Sequence, residues 1–137
     1  MRKTVATVLA AATVLSLAVA ADARPRVAPE EKLAKLLDGR VPGEPRDCIY
    51  LPSIRGSRII DKTAIVYDAG RTLWVNRPRS GASSLDDDDI LVTNLYGSGS
   101  SLCSIDIVHL QDRSSNFYRG FVGLGEFVPY RKVAAAN

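Results

Sequence analysis

The hydrophobic pattern changes twice along this 137-residue chain. Val5 to Ala21 is an uncharged run dominated by Ala, Val and Leu, with Arg2 and Lys3 before it and Arg24-Pro25 after it. A positive start, a short apolar middle and an Ala-x-Ala exit predict a secretory signal peptide over residues 1–23. Two exits fit, Ala18-Val19-Ala20 and Ala21-Asp22-Ala23. The run is shorter than the ~20 residues a transmembrane helix needs, so a retained anchor is the weaker reading and no membrane span is expected after leader removal.

Residues 24–47 then read as a helix and a linker. Pro29 to Gly39 has helical spacing of Leu33, Leu36 and Leu37, with Pro and two glutamates in the first turn and Gly39 at the C-terminal cap. Val41 to Asp47, with Pro42, Gly43 and Pro45, reads as the linker.

From Cys48 the period shortens to that of strands, and residues 48–132 are expected to form one β-rich domain, with 133–137 as a tail. Ser57 to Ile60 and Ala64 to Tyr67 flank the turn Asp61-Lys62-Thr63. Asp68-Ala69-Gly70-Arg71 is a second turn, leading into Thr72 to Asn76. A loop around Pro78 to Ser84, a strand from Ile90 to Tyr96, a Gly/Ser turn from Gly97 to Ser101 and a long strand from Leu102 to Leu110 follow. Gly120, Gly123 and Gly125 among Phe and Val suggest a bent strand or packed loop that closes the sheet. Short strands, tight turns and one helix predict a mainly β domain: a small antiparallel β-barrel or sandwich preceded by one short α-helix.

Removing the leader leaves 114 of the 137 residues, the size of one domain. Arg2, Lys3 and Asp22 go with it, so 18 Lys+Arg and 15 Asp+Glu become a net charge of +2. That is too little to argue for nucleic acid or an anionic membrane as partner. Cys48 and Cys103 remain, in a compartment that favours oxidation, and a bridge between them would close a 55-residue loop. The alternatives are two separate buried thiols, or a metal pair for which one histidine and two distant cysteines are a poor ligand set.

Asp86-Asp87-Asp88-Asp89 is the most conspicuous polar run. Asp86 and Asp88 alternate as calcium ligands would, but no glycine turn or bidentate glutamate follows at the required spacing. The simpler expectation is a solvated turn, with Ser83 or Ser84 capping a helical turn whose positive end the aspartates occupy. His109 is the only histidine, so any histidine-dependent hydrolysis would run through it. On the long strand it shares a face with Cys103, Ile105 and Ile107, which places it at the core rim. Arg55, Arg58, Arg71, Arg77 and Arg79 surround Tyr67 and Trp74 and read as a solvated sheet face paired with the aspartate run. No catalytic motif and no cofactor site are read from the sequence.

Four segments, Cys48 to Leu51, Ile54 to Asp61, Leu102 to Asp106 and Gly123 to Pro129, together resemble a family of short exported proteins of Gram-negative bacteria, classed as a domain of unknown function. The resemblance spans about Cys48 to Lys132. Many members carry two further cysteines near the positions of Ser83 and Val122. Their joint absence here implies that Cys48 and Cys103 are the family's other bridge. The resemblance implies export and a compact β-rich domain, with no activity or cofactor attached. The expectation is a periplasmic or secreted monomer with a non-enzymatic binding or structural role toward a protein or cell-wall component. An inhibitor of a secreted hydrolase, presenting a loop such as Arg77 to Leu85, is the alternative, and a hydrolase using His109 comes after it.

Overall fold

The computed structural model describes residues 26–95 and 99–134. The leader, the end of the strand expected to reach Tyr96 and the start of the Gly/Ser turn lie outside the described residues. Among the described residues, one α-helix, α1 (Pro29–Leu36), is followed by ten strands: β1 (Arg40–Pro42), β2 (Cys48–Tyr50), β3 (Gly56–Ile60), β4 (Ala64–Ala69), β5 (Thr72–Asn76), β6 (Asp89–Thr93), β7 (Ser101–Cys103), β8 (Ile107–Asp112), β9 (Tyr118–Gly123) and β10 (Phe127–Lys132). They form antiparallel sheets ordered β1-β10-β5-β4-β3, β6-β8-β9 and β2-β7. The sheets stack as a sandwich and do not close into a barrel.

The pattern of β4 explains the layering. Ala64, Ile65, Val66 and Tyr67 are all buried, so both faces of this strand are covered. One face, with Ile60, Leu73 and Val75 beside it, packs under Leu33 of α1, flanked by Leu36 and Leu37. The opposite face, with Ile59, Ile65, Tyr67 and Phe127, meets Val108, Leu110 and Val122 of the second sheet and Leu124 just beyond it. Three leucines are therefore enough for the helix, because its stripe only has to cap one sheet face. The Tyr67 and Phe127 rings meet tilted at 5.9 Å. Buried Asn76 fixes the entry to β10: its Nδ2 donates to Gly125 O at 2.7 Å and its Oδ1 accepts from Gly125 N at 3.1 Å.

Both predicted tight turns are present. Lys62 sits at φ 53°, and Gly70 sits at φ 78° with its N–H on Asp68 Oδ1 at 2.6 Å. Two expectations need correction. The segment read as a linker begins with an edge strand, because Arg40–Pro42 pairs with Tyr130 to Lys132 and its proline falls where no further partner is needed. The single long strand from Leu102 to Leu110 is two strands. Asp106 breaks it by accepting Cys103 N–H on Oδ2 at 2.7 Å while donating its own N–H to Cys103 O at 3.0 Å. The chain turns there from β7 into β8, and Ile105 is left 78% exposed.

Cys48 and Cys103 are bridged and face each other in register across β2 and β7. The ladder bonds lie on either side of them, Ser104 N to Asp47 O and Leu51 N to Ser100 O. This is the position in an antiparallel pair where opposed side chains approach most closely. Ile49 and Leu102, one residue further along, point inward to the core. Closing a 55-residue loop constrains the unfolded chain by roughly 4 kcal/mol in the chain-entropy model. Reduction is therefore expected to lower stability by up to that amount. A thermal melt with and without reductant measures it, and an unmoved melt would show that the bridge does not stabilise the fold.

Candidate functional site

The aspartate run closes one end of the sandwich. The 3-10 turn Ala82–Ser84 precedes it, and no side chain caps that turn at Gly81. The capping expectation is thus corrected, since the aspartates follow the turn instead of occupying its N-terminus. Asp86 starts a tight turn of its own, accepting Asp88 N–H on Oδ1 at 3.1 Å and Asp89 N–H on its carbonyl at 3.0 Å. Asp89 opens β6 directly opposite Asp112, the last residue of β8. Like charges in that relation repel unless something neutralises them.

Arg119 does so. The register of β9 slips between Leu110 and Gln111, which leaves Arg119 as the extra residue of a bulge between Tyr118 and Gly120. Its guanidinium lies 3.3 Å from Asp86 Oδ2, 3.5 Å from Asp89 Oδ1 and 3.6 Å from Asp112 Oδ2. Lys32 of α1 holds the other side, 3.4 Å from Asp61 Oδ2 and 3.6 Å from Asp87 Oδ2. Asp61 Oδ1 also accepts Asp87 N–H at 2.8 Å. The helix, the β3–β4 turn and the aspartate run are thereby joined.

The two opposed carboxylates differ in chemistry. Asp112 Oδ1 accepts from both the N–H and the hydroxyl of Ser114 and Ser115, between 2.6 and 2.9 Å, which holds its carboxyl well below the ordinary range. Asp89 has a fully buried side chain whose oxygens make no hydrogen bond. Its burial pushes the pKa up; Arg119 opposes this, and the charges of Asp86, Asp112 and Asp88 reinforce it.

Carboxylate oxygens of Asp61, Asp86 and Asp87 come within 4.8 Å of one another. That group takes in Asp61 in place of the exposed Asp88. Lys32 and Arg119 already supply its positive charge, so the corner acts as an internal clasp. Millimolar calcium is expected to leave the melting temperature unchanged. A saturable rise lost on Asp86→Asn and Asp61→Asn would identify a cation site instead, since binding to the native state must stabilise it.

The other sequence candidates fall elsewhere. Arg77 forms a two-pronged ion pair with Glu30 at 2.8 and 2.9 Å, tying α1 to the end of β5. Among the described residues no arginine of the first strands has an ion pair with the aspartate run, contrary to expectation, because Lys32 and Arg119 take that role. No local signal marks Arg119, whose position depends on a bulge and a long-range pairing. The Arg77–Leu85 segment lies flat: Arg79 and Ser80 donate to Gly123 O at 3.0 and 3.4 Å, and Leu85 is buried.

His109 is displaced from its expected face. Because β8 starts only at Ile107, the core side is taken by Val108 and Leu110, and His109 points outward between Val92 and Phe121. Its ring meets Tyr118 at 5.7 Å and Phe121 at 6.5 Å. The outward positions of this sheet, Ile90, Val92, Ile107, His109, Gln111, Tyr118 and Phe121, carry no Lys, Arg, Asp or Glu. Tyr118 and Phe121 are 59% and 52% exposed, and neighbouring Phe117 is 74% exposed. Among the described residues no helix is long and apolar enough to cross a membrane. Comparisons with protein-family models, curated proteins and solved structures found no match.

The opposed carboxylates give a pH dependence whose sign can be worked out. Asp89 has a raised folded pKa, so its contribution to stability improves as pH falls through that value. Asp112 has a lowered folded pKa, so its contribution is present above the ordinary carboxylate pKa and is lost as pH falls through the depressed value. Asp89→Asn is expected to melt higher than the native chain at neutral pH, by an amount that shrinks as the solution is acidified through the raised pKa. A constant difference from pH 7 to pH 4 would show that burial of this charge does not govern the corner.

Proposed function

We propose that this chain is exported through its leader and acts in the periplasm or outside the cell as a small binding domain, with no catalytic step of its own. The observation that carries the reading is the uncharged aromatic face of β6, β8 and β9. Aromatic side chains with large exposed area and few rotatable bonds are the groups that contribute most where surfaces dock. Absence of charge on that face favours a protein or cell-wall component over nucleic acid. A disulfide-bridged sandwich supplies the rigid support, and the resemblance to exported proteins of unknown function points to the same compartment.

The surroundings of His109 support binding over hydrolysis. Its ring neighbours are Tyr118 and Phe121, neither of which supplies the carboxylate that orients the histidine of a hydrolytic triad. The flat seating of Arg77–Leu85 gives the inhibitor reading little, since an inhibitory loop must project into an active site.

The test starts with protein recovered from the native host. Mass spectrometry is expected to find a mature form beginning at Ala21 or Arg24. That form, immobilised, should retain a component from periplasmic extract or from isolated cell-wall sacculi. Replacing Tyr118 and Phe121 by serine should lower retention at least tenfold without moving the melt. Full-length protein found only in the cytoplasm, or retention indifferent to both replacements, would overturn the proposal.

A further inference from the structure

Two strand edges face each other across an open seam of the sandwich. Among the described residues β3 pairs only with β4 and β6 only with β8, so each leaves one side of its backbone unpaired. Between them runs a groove in two connected parts. The wider part, about 520 Å³, is lined by Ser57, Arg58 and Ile59 from β3 and by Asp89, Ile90 and Leu91 from β6. The narrower part, about 260 Å³, shares Ser57 and Leu91 and continues to Gly56 and Thr93.

Successive side chains of a strand point to opposite faces. Three consecutive residues can line one cavity together only where the backbone edge itself faces it, and here both walls do so. The walls run in opposite directions, because 57–59 lie across from 89–91 while 55–57 lie across from 91 and 93. The sandwich's other edges are closed by familiar devices. β1 ends in Pro42, β9 exchanges hydrogen bonds with Ser80 through Gly123, and β2 and β7 are three residues long and bridged. Among the described residues, the buried side-chain oxygens that lack a hydrogen-bond partner are Tyr67 Oη and the two Asp89 Oδ, and both residues belong to the walls of this groove.

We infer that this seam receives an extended segment of a partner protein, which adds a strand between β3 and β6. This rests on the binding reading above and names its mode: main-chain hydrogen bonds give the affinity, and the groove walls select side chains. The segment is about five residues long, the length of each wall strand. It pairs parallel with one wall and antiparallel with the other. The wider part carries Arg58 and Arg113 together with the exposed carboxylate of Asp87, so it matches a segment with one acidic and one basic side chain. Ile90 belongs both to the groove and to the outward aromatic face, which extends the contact beyond the inserted strand.

The probe is a displayed library of random ten-residue peptides, selected on the intact mature protein and followed by amide hydrogen exchange. Enriched peptides are expected to protect amides of β3 and β6, and to bind at least tenfold more weakly to Ser57→Lys, an exposed position. Arg58→Glu is the second variant and should shift the enriched sequences from acidic to basic at one position. Failure to enrich, protection confined to β8 and β9, or a self-association of this chain that buries the seam would each overturn the inference. Failure here with Tyr118- and Phe121-dependent retention intact removes only the seam. Loss of that retention as well removes the binding reading itself.

Discussion

The structure depends on β4 having no solvent face. Once Ala64, Ile65, Val66 and Tyr67 are committed to burial on both sides, a layer must exist above and another below. The second sheet supplies one and α1 the other. An isolated eight-residue helix is marginal in water, so α1 is ordered by what it covers and by its anchors. Those anchors lie on the helix's polar side, where Glu30 meets Arg77 and Lys32 meets Asp61 and Asp87. Each is partly exposed and contributes little energy on its own. Together they set the helix's rotation, which decides whether Leu33 reaches the sheet.

Local chemistry was legible in the sequence and long-range pairing was not. The β3–β4 and β4–β5 turns could be read because Lys62, Asp68 and Gly70 determine them within three or four residues. The cysteine bridge could be read because compartment and count left few alternatives. β1 was hidden because its proline and the glycines on either side of it resemble linker composition, and its strand state exists only through pairing with β10. The break at Asp106 was hidden because a buried aspartate accepting Cys103 N–H looks, in sequence, like the polar side of an alternating strand. The acidic corner was half visible: the aspartates were conspicuous, while their partners Arg119 and Lys32 reach them only in the folded chain.

The corner shows how the chain's own cations accommodate four successive carboxylates. The chain turns at Asp86, so the four do not share one direction, and Asp88 is left to solvent. Asp87 goes to Lys32, while Asp86 and Asp89 go to an arginine that a bulge has re-aimed. A β-bulge is suited to this, since it redirects one side chain while the ladder resumes on either side. Without that extra residue β9 would keep its alternation, and the opposed Asp89 and Asp112 would lack a shared counter-charge.

The two ends of β8 are consequently held by different chemistry. At Ile107 the strand follows the turn from β7, where the bridge to Cys48 acts by restricting the unfolded chain and is indifferent to pH in the carboxylate range. At Asp112 the strand ends among charges whose strength depends on protonation. Acid acts on that end in two stages with opposite sign. It first relieves the buried Asp89, whose pKa is raised, and only below the ordinary carboxylate range does it remove the stabilisation held by Asp112. Mild acid therefore leaves the charged end intact or improves it, while reductant weakens only the bridged end. A domain stapled in this way keeps one end fixed under either change, and the seam between β3 and β6, whose walls include Asp89, feels the first before the second.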